Sequence, residues 1–177
     1  MRMTVLVFHP HLNESRVNQR LMAEITKYRS DKVIVWDEYA MYPDGKIDVQ
    51  AEQQLLMASD RIVLQFPFYW YSSPSLLKKW EDEVLLHGWA YGSGGTALHG
   101  KELLLAISAG AAPEKYHIYG EFGYTMEDML LPFMATSNLI GTKFVEPFIL
   151  QGVMQNLTDE QLEDYARNYV DYILKSK

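Results

Sequence analysis

The segment "VLVFHPHLNESRVNQ", Val5–Gln19, determines how the rest of the sequence is interpreted. Its first four residues form an apolar run of the length typical of a short buried strand. The run ends abruptly at His9-Pro10-His11, and the polar stretch that follows reaches Ser15, a residue type that favours the N-cap of a helix. The segment therefore predicts a strand, a loop and a helix, and the polar loop between them indicates a binding site.

The same strand-and-helix order recurs along the chain. Short runs of apolar residues, most of them continuous, are typical of strands that are covered on both faces. They predict strands at Thr4–Phe8, Val33–Trp36, Arg61–Phe66, Leu103–Ser108 and Lys143–Ile149. Helical patterns lie between these runs, so the chain alternates β and α five times.

The helix starts are predicted from capping residues. Ser15 is the expected N-cap of a helix that runs to about Tyr28. Ser73 is the expected N-cap of a helix that has Pro74 at its first position and runs to about Leu86. A shorter helix and two capping boxes ahead of the last two helices complete the set: Val49–Ala58, Thr125 with Asp128, and Thr158 with Gln161.

This alternation predicts an α/β fold with residues 1–177 in a single flavodoxin-like domain. We expect a three-layer sandwich in which a five-stranded parallel sheet, in the order 2-1-3-4-5, has helices on both faces. Ligands of such sheets bind beyond the carboxyl ends of the strands, near the point where the strand order reverses. The loops after the first, third and fourth strands are therefore the candidate binding loops.

The composition excludes several classes of site and partner. The chain has 177 residues, a formal net charge of −7 and no cysteine. Without cysteine there are no disulfides, thiolate metal sites or cysteine nucleophiles, and the acidic charge argues against a nucleic-acid partner. The first apolar run is too short for a signal peptide, and no stretch is long enough to span a membrane. We therefore expect a cytoplasmic protein.

The first candidate loop is predicted to bind a phosphate. The start of a helix presents unpaired backbone N–H groups and the positive end of the helix dipole, and both attract anions. His9 lies at the strand end, and the segment Ser15-Arg16-Val17-Asn18 adds further donors. The simpler interpretations are that Ser15 only caps the helix and that His9 is a satisfied core residue. Neither a dinucleotide fingerprint nor a P-loop is present, and His9 with His11 lack the further ligands that a metal site needs, so no metal is predicted.

The second candidate loop, "FPFYWYSSPSLLKKW" (Phe66–Trp80), is rich in aromatic residues. Five of the six residues Phe66–Tyr71 are aromatic, and Pro67 is the exception. Such a surface at the carboxyl end of a strand suits a planar, polarisable ring system. A hydrophobic dimer surface is the alternative interpretation.

The third candidate loop follows the fourth strand and begins with small residues. Small side chains let a ligand approach the backbone closely and accept hydrogen bonds from its N–H groups. Four small residues stand here in succession: Ser108, Ala109, Gly110 and Ala111. Polar aromatic residues follow in the same loop, at Tyr116, His117 and Tyr119. Without a ligand, these are ordinary loop residues.

These three loops belong to longer motifs of a known family. The chain resembles the bacterial NAD(P)H:quinone oxidoreductases of the flavodoxin-like superfamily, relatives of DT-diaphorase, and in particular the short FMN-binding type that includes ancillary flavoproteins of glutathione-gated potassium efflux. The matching motifs lie between residue 4 and about residue 150: "FHPHLNESRVN" (Phe8–Asn18), "FPFYWYSSPSLLKKWEDEVLLHGWAYG" (Phe66–Gly92), "LHGKELLLAISAGAAPEKY" (Leu98–Tyr116) and "LLPF" (Leu130–Phe133). The second motif is the most specific.

The resemblance implies a flavin-binding domain that takes hydride from NAD(P)H and passes two electrons to a quinone. Carried over by position, the flavin phosphate lies against His9 and the helix start made by Ser15, Arg16, Val17 and Asn18. The edge of the ring system meets Pro67, Phe68, Tyr69 and Trp70. Its pyrimidine side and ribityl chain lie beside Ser108, Ala109, Gly110 and Ala111. FMN is expected instead of FAD, because nothing after the last predicted helix is available to cover an adenosine.

The chain departs from the family pattern after the fourth strand. Ser108-Ala109-Gly110 stands where the family commonly has two threonines and a glycine, so one hydroxyl is kept. Tyr116 matches the tyrosine that handles charge on the reacting quinone in DT-diaphorase, but Phe122 stands six positions later, where that enzyme has histidine. His117 is the candidate substitute, so Tyr116 and His117 are the predicted catalytic residues.

Other roles stay open on the sequence alone. A homodimer is implied by the resemblance and is favoured by Trp80 and Trp89, which look exposed in the pattern. A flavodoxin-type electron carrier and a regulatory flavoprotein docked on a potassium-efflux transporter are the alternative functions. A phospho-receiver is excluded, because Phe8-His9 and Phe66-Pro67 stand where that class needs acidic residues.

Overall fold

The first apolar run forms β1 (Met3–Val7), from which the sheet extends in both directions. The computed structural model describes residues 1–175. In it, β1 pairs in parallel with β2 (Val33–Asp37) on one side and with β3 (Arg61–Pro67) on the other, and β3 pairs with β4 (Glu102–Ala109). The predicted parallel order 2-1-3-4-5 is confirmed, with the fifth position divided between two strands.

The fifth position is where the prediction of one strand over Lys143–Ile149 is wrong. β5 (Lys143–Phe144) pairs with the start of β4, and β6 (Phe148–Gln151) pairs with its end. Both pairings are parallel, so the sheet keeps its predicted direction although it has six strands.

A bulge separates the two short strands. Phe144 lies opposite Leu103 and Phe148 lies opposite Ala106, so the outer chain carries one residue more than β4 over this interval. Pro147, inside the bulge, has no N–H group to donate to the ladder. The apolar pattern of the segment continues through the proline, and for this reason the pattern alone predicts one strand.

Helices cover both faces of the sheet. Their bounds are α1 (Arg16–Thr26), α2 (Glu38–Met41), α3 (Val49–Met57), α4 (Ser75–Val84), α5 (Met126–Met129), α6 (Leu131–Leu139) and α7 (Asp159–Leu174). Alternate residues of a strand point to opposite faces. Val5 and Val7 accordingly pack in the cluster with α1 and α7, whereas Leu6 and Phe8 pack in the cluster with α3, α4 and α6. In residues 1–175 no helix is both long enough and apolar enough to cross a membrane.

Three of the predicted helix starts are confirmed. The Ser15 side chain accepts a hydrogen bond from the backbone N–H of Asn18 at 3.1 Å. The capping boxes of Thr125 and Thr158 are both formed, the first ahead of α5 and the second ahead of α7. These contacts satisfy helix N–H groups that have no partner inside the helix.

The start of α4 differs from the prediction. Pro74 is the N-cap and Ser75 is the first helical residue, so the helix begins one residue later than expected. Pro74 has no side-chain oxygen to cap the helix. Instead, the backbone N–H of Leu76 donates to the hydroxyl of Tyr39 in α2 at 3.3 Å, which ties the chain that leaves the second candidate loop to α2.

Two buried carboxyl groups belong to the short helices, Glu38 to α2 and Glu52 to α3, and both residues are 0% exposed. Glu52 accepts hydrogen bonds from the Tyr42 hydroxyl (2.7 Å) and from Trp80 Nε1 (2.9 Å), whereas neither oxygen of Glu38 receives one from the described residues. Burial first, and then the negative charges of Glu52 and Asp37, raise the pKa of Glu38 to about 9. Glu38 is therefore protonated at neutral pH, and its proton is available to Glu52, whose own pKa is raised by burial while the hydrogen-bond donors around it oppose the rise.

Trp80 is not the exposed residue that the sequence pattern indicated. It is buried, and its ring packs edge-on against Phe8 with 5.9 Å between the ring centroids. Trp89 is half-buried. The expectation that these two residues form a dimer surface is therefore wrong for Trp80 and unsupported for Trp89.

Candidate functional site

A cleft of about 430 Å³ lies at the carboxyl ends of β1, β3 and β4. It brings together most of the residues that the sequence selected: His9, Ser15, Arg16, Val17, Asn18, Pro67, Phe68, Tyr69, Ser108, Gly110, Ala111 and Tyr116. Val153 and Met154 also line it, and no aspartate or glutamate among residues 1–175 does. Three loops that are far apart in the sequence therefore meet at the edge where ligands of such sheets bind.

The start of α1 presents free backbone donors to this cleft. The N–H groups of Arg16 and Val17 donate to no protein acceptor in the described part of the chain. The N–H of Asn18 is already used by the Ser15 cap. Two free N–H groups at the positive end of a helix dipole suit an anion such as a phosphate.

The Arg16 side chain is not a free phosphate donor, contrary to the prediction. Its guanidinium donates to the carbonyl oxygen of Leu157 and to the carboxylate of Asp159, both at 2.6 Å. These contacts hold the start of α7 against the start of α1. The predicted contribution of Arg16 to the site is therefore reduced to its backbone N–H.

A buried chain of side-chain hydrogen bonds supports the cleft from below. The Tyr169 hydroxyl donates to Gln65 Oε1 (2.8 Å), and Gln65 Nε2 donates to the carbonyl oxygen of Asn18 (3.1 Å). Asn18 Nδ2 then donates to Ser108 Oγ at 2.8 Å. Asn18 and Ser108 thus fix α1 to β4, in addition to lining the cleft. Sequence reasoning missed Gln65 and Tyr169, although Gln65 is the one polar residue inside the apolar run "IVLQF".

His9 offers a neutral hydrogen-bond donor. Burial lowers its pKa, the nearby His11 lowers it further, and Asp37 opposes the shift. The Nδ1 atom of His9 accepts a hydrogen bond from the backbone N–H of His11 at 3.1 Å. The neutral ring consequently carries its proton on Nε2.

The aromatic loop after β3 forms a tight hairpin at the rim of the cleft. Tyr69 and Ser72 exchange two backbone hydrogen bonds (3.2 and 3.0 Å), and the two residues between them have positive φ: Trp70 at 49° and Tyr71 at 61°. Large side chains rarely adopt this left-handed conformation, and such strain is concentrated at functional sites. The N–H groups of Trp70 and Tyr71 donate to no acceptor within residues 1–175.

The Trp70 ring does not line the cleft, which corrects the prediction of a flat platform over Phe66–Tyr71. It is 92% exposed because the left-handed turn directs it away from the sheet. Phe68 and Tyr69 provide the ring-lined wall instead. The backbone N–H of Phe68 donates to the Ser108 carbonyl at 2.8 Å and so fixes this wall to β4.

The loop after β4 gives the cleft its second set of free donors. The N–H groups of Gly110 and Ala111 have no protein acceptor in the part of the chain that the structure describes. Ala109, which the sequence also selected, is buried in the core cluster beside Ile107, and its side chain is not part of the lining. The strand periodicity already indicates this, because Ala109 follows Ile107 by two residues.

The segment after β6 closes one side of the cleft and was missed by sequence reasoning. Val153 N–H donates to the carbonyl of Ala109 at 3.1 Å, which brings Val153 and Met154 beside the third loop. A Cβ atom on Gly110 would lie 2.9 Å from the Met154 sulfur, so glycine allows this close approach. Nothing local in the sequence signals the contact, because it depends on the pairing of β6 with β4.

Of the two predicted catalytic residues, only Tyr116 lies at the cleft. Its ring packs between Phe68 (6.5 Å between centroids) and Phe122 (5.0 Å). Burial, and after it the nearby Tyr71, raise the pKa of Tyr116, so the hydroxyl is protonated at neutral pH. His117 is exposed outside the cleft, and its Nδ1 accepts a hydrogen bond from the backbone N–H of Tyr119 at 3.2 Å. The structure therefore does not support His117 as the substitute for the missing histidine.

A second cavity, of about 370 Å³, lies between α4 and α6. Its lining includes the apolar residues Phe133 and Leu139 together with the charged residues Lys78, Glu81 and Asp82. Two of its lining side chains are carboxylates, Glu81 and Asp82, and these would repel an anionic ligand. The cleft at the strand ends is therefore the candidate site.

The donor set of the cleft fits an FMN-like molecule. Free N–H groups at the start of α1 suit its phosphate, and those of Gly110 and Ala111 suit the electron-rich edge of a planar ring. The aromatic wall suits the face of such a ring. The lining has no carboxylate among residues 1–175, which avoids repulsion of an anionic ligand, and neutral His9 can donate a hydrogen bond to it.

Comparison with known proteins agrees with this geometry. The model of the Flavodoxin_2 family, described by its flavodoxin-like fold, matches residues 1–173. An uncharacterized NAD(P)H oxidoreductase of Bacillus subtilis is 49% identical over 173 residues, which cover 98% of each chain. General stress protein 14 of Treponema denticola, solved in complex with FMN, is 36% identical with a TM-score of 0.92, and the match covers 98% of each chain. An NADPH-quinone reductase from P. pentosaceus is 27% identical with a TM-score of 0.87 over the full length of both chains.

Proposed function

Because this chain belongs to the Flavodoxin_2 family, we propose that it is an FMN-dependent NAD(P)H:quinone oxidoreductase. The observation that carries the proposal is the meeting of two sets of free backbone donors, at the start of α1 and after β4, in one aromatic-walled cleft. The relatives support it, since one is named an NAD(P)H oxidoreductase, one was solved with FMN and one is named an NADPH-quinone reductase.

Different residues of the cleft would contact the phosphate, the ring face and the polar ring edge of FMN. The N–H groups of Arg16 and Val17 would receive the phosphate, with His9 as a neutral donor beside them. Phe68 and Tyr69 would contact the ring, and the loop that starts at Gly110 would donate to its polar edge. When bound, FMN supplies the hydride transfer and the two-electron chemistry.

Tyr116 is the residue we assign to the acceptor. Its hydroxyl makes no hydrogen bond to another described residue, and its pKa is raised, so the proton is available to a ligand oxygen. A hydrogen bond to a quinone oxygen would stabilise negative charge as the quinone is reduced.

The proposal is tested by spectroscopy and steady-state kinetics. The purified protein, or the protein mixed with FMN, should show flavin absorption bands and quench FMN fluorescence at a 1:1 ratio. It should oxidise NADH or NADPH rapidly when menadione is present, with parallel lines in double-reciprocal plots, because one pocket serves both substrates in turn. A chain that takes up no FMN would contradict the proposal.

Replacing Tyr116 by phenylalanine should lower kcat with menadione by at least about tenfold, since one donor to the reacting oxygen is lost. The Kd for FMN should change less than about twofold, because the ring and its packing are kept. Tyr124→Phe is the matched control: Tyr124 is an exposed tyrosine directly after this loop, and it does not line the cleft. Equal rates for Tyr116→Phe and the wild type would remove Tyr116 from the mechanism.

The same kinetics distinguish the alternative functions. A flavodoxin-type carrier would bind FMN but oxidise NAD(P)H only slowly with any quinone. No feature of residues 1–175 favours a docking site on a potassium-efflux transporter, so we propose the enzyme alone, acting in the cytoplasm.

A homodimer stays a prediction. It is supported by the exposed side chains of Leu131, Met134 and Leu139 on α6. Size-exclusion chromatography with light scattering tests it.

A further inference from the structure

We propose that Phe122 is a positioning residue that sets which acceptors the cleft admits. This inference rests on the proposed function and deepens it. Phe122 does not line the cleft itself. It packs against Tyr116, which does line the cleft.

The Phe122 ring is held between two loops that border the mouth of the cleft. Its centroid lies 5.0 Å from that of Tyr116, on its own loop, and 5.4 Å from that of Tyr71, in the hairpin after β3. Both contacts are edge-to-face, with interplanar angles of 64° and 69°. This arrangement is favourable for aromatic rings and fixes their relative orientation.

The two loops have no other strong link within residues 1–175. No hydrogen bond joins the hairpin Tyr69–Ser72 to the excursion Pro113–Gly123. Their remaining aromatic contact joins Phe68 to Tyr116 at the longer distance of 6.5 Å. The position of the Tyr116 hydroxyl therefore depends on Phe122.

Contacts within the loop Pro113–Gly123 hold the Phe122 ring in this position. The backbone N–H of Phe122 donates to the Lys115 carbonyl at 3.2 Å, which closes the loop on itself. Lys115 also pairs with Glu121 at 2.6 Å, and its ammonium lies 6.0 Å from the centroid of the Phe122 ring. At Gly120 a Cβ atom would lie 2.7 Å from the Lys115 carbonyl oxygen, so only glycine allows the chain to turn back this tightly.

Two consequences follow for the reaction. A phenyl ring cannot donate or take up a proton, so Phe122 provides no second acid to the acceptor. If the ring is removed, Tyr116 and Tyr71 can move back into the space it leaves, and the mouth of the cleft widens. Small planar acceptors then lose contact with Tyr116, whereas bulky acceptors gain room.

The test measures acceptor selectivity in protein loaded with FMN. The bound flavin is reduced chemically with dithionite, and its reoxidation is followed in a stopped-flow instrument with a one-ring and a three-ring quinone. In Phe122→Ala, the ratio of the three-ring rate constant to the one-ring rate constant should rise at least about fivefold, the size of effect expected when one pocket wall is lost. Phe122→Tyr keeps the ring and should restore the wild-type ratio.

Phe144→Ala is the matched control. Phe144 is also a half-buried ring, but it lies in β5, which pairs with the end of β4 opposite to the cleft. It should leave the ratio unchanged, so a change confined to Phe122→Ala cannot come from general destabilisation. If FMN binds normally and Phe122→Ala slows both quinones equally, the inference fails while the proposed function stands. If the wild-type chain binds no FMN, both are wrong.

Discussion

Aspartate in place of Ser15 is expected to weaken FMN binding by at least about 100-fold while the protein remains as stable as the wild type. Ser15 caps α1, and aspartate caps helices as well as serine does. Its carboxylate, however, stands beside the free N–H groups of Arg16 and Val17, where the phosphate is proposed to bind. Two like charges about 5 Å apart repel by about 3 kcal/mol at an effective dielectric constant of about 20, which corresponds to more than 100-fold in affinity.

Two further variants separate the cap from the charge. Ser15→Asn keeps a neutral cap and should bind FMN within about threefold of the wild type. Ser15→Ala removes the cap and should lower the free energy of unfolding by about 1 kcal/mol. FMN fluorescence quenching gives the affinities, and urea denaturation gives the stabilities. Unchanged FMN affinity in Ser15→Asp would show that the phosphate does not bind at the start of α1.

Glutamine in place of Glu38 is expected to remove most of the loss of stability that the wild type shows between pH 7 and pH 9. The folded protein keeps the Glu38 proton up to a pKa of about 9, whereas the unfolded chain releases it near 4.5. The stability from this proton is complete below pH 4.5 and is lost as the pH rises towards 9. The loss approaches about 1.4 kcal/mol per pH unit for one proton.

In the Glu38→Gln variant the side chain keeps its shape and still carries a hydrogen-bond donor. Its amide N–H can still donate to Glu52, and it carries no charge to be buried at high pH. At pH 8.5 it should therefore be more stable than the wild type by at least about 2 kcal/mol, measured by urea denaturation. The interval from pH 7 to 9 avoids the opposite effect of His9, whose lowered pKa makes stability rise with pH near its unfolded value of 6.5.

Glu52→Gln is the informative counterpart, because Glu52 is the acceptor of the pair. An amide there has one acceptor oxygen for two donors, so either the Tyr42 hydroxyl or the Trp80 N–H loses its partner. We expect it to lower stability by about 1–3 kcal/mol at neutral pH. Equal slopes of stability against pH in Glu38→Gln and the wild type would contradict the shared proton.

The sequence predicted the sheet well because the physical signal was local. Buried parallel strands appear as continuous apolar runs, and capping residues such as Thr158 act within three positions. It failed at Pro147, where the apolar pattern continues through a break in the ladder. It also missed α2 with the buried Glu38, since a four-residue helix has no periodicity to detect.

The candidate site was predicted at the level of loops and less well at the level of side chains. The rule for strand ends located the cleft without knowledge of any contact. The partner of Arg16 is 143 positions away, so no local pattern indicates that its guanidinium is already used. His117 and Trp70 lie in turns, and turns have no period from which a side-chain direction follows.

The proline-containing bulge between β5 and β6 has a consequence for self-association. A long, flat outer strand offers a row of unpaired backbone groups on which a neighbouring molecule can add a strand, the first step towards aggregates. Here the bulge interrupts this row of backbone groups in its middle, and Pro147 has no N–H to offer to a neighbouring strand. The margin of the molecule at β5 and β6 is thereby protected, and any assembly of this chain through that side would have to use the flanking helices.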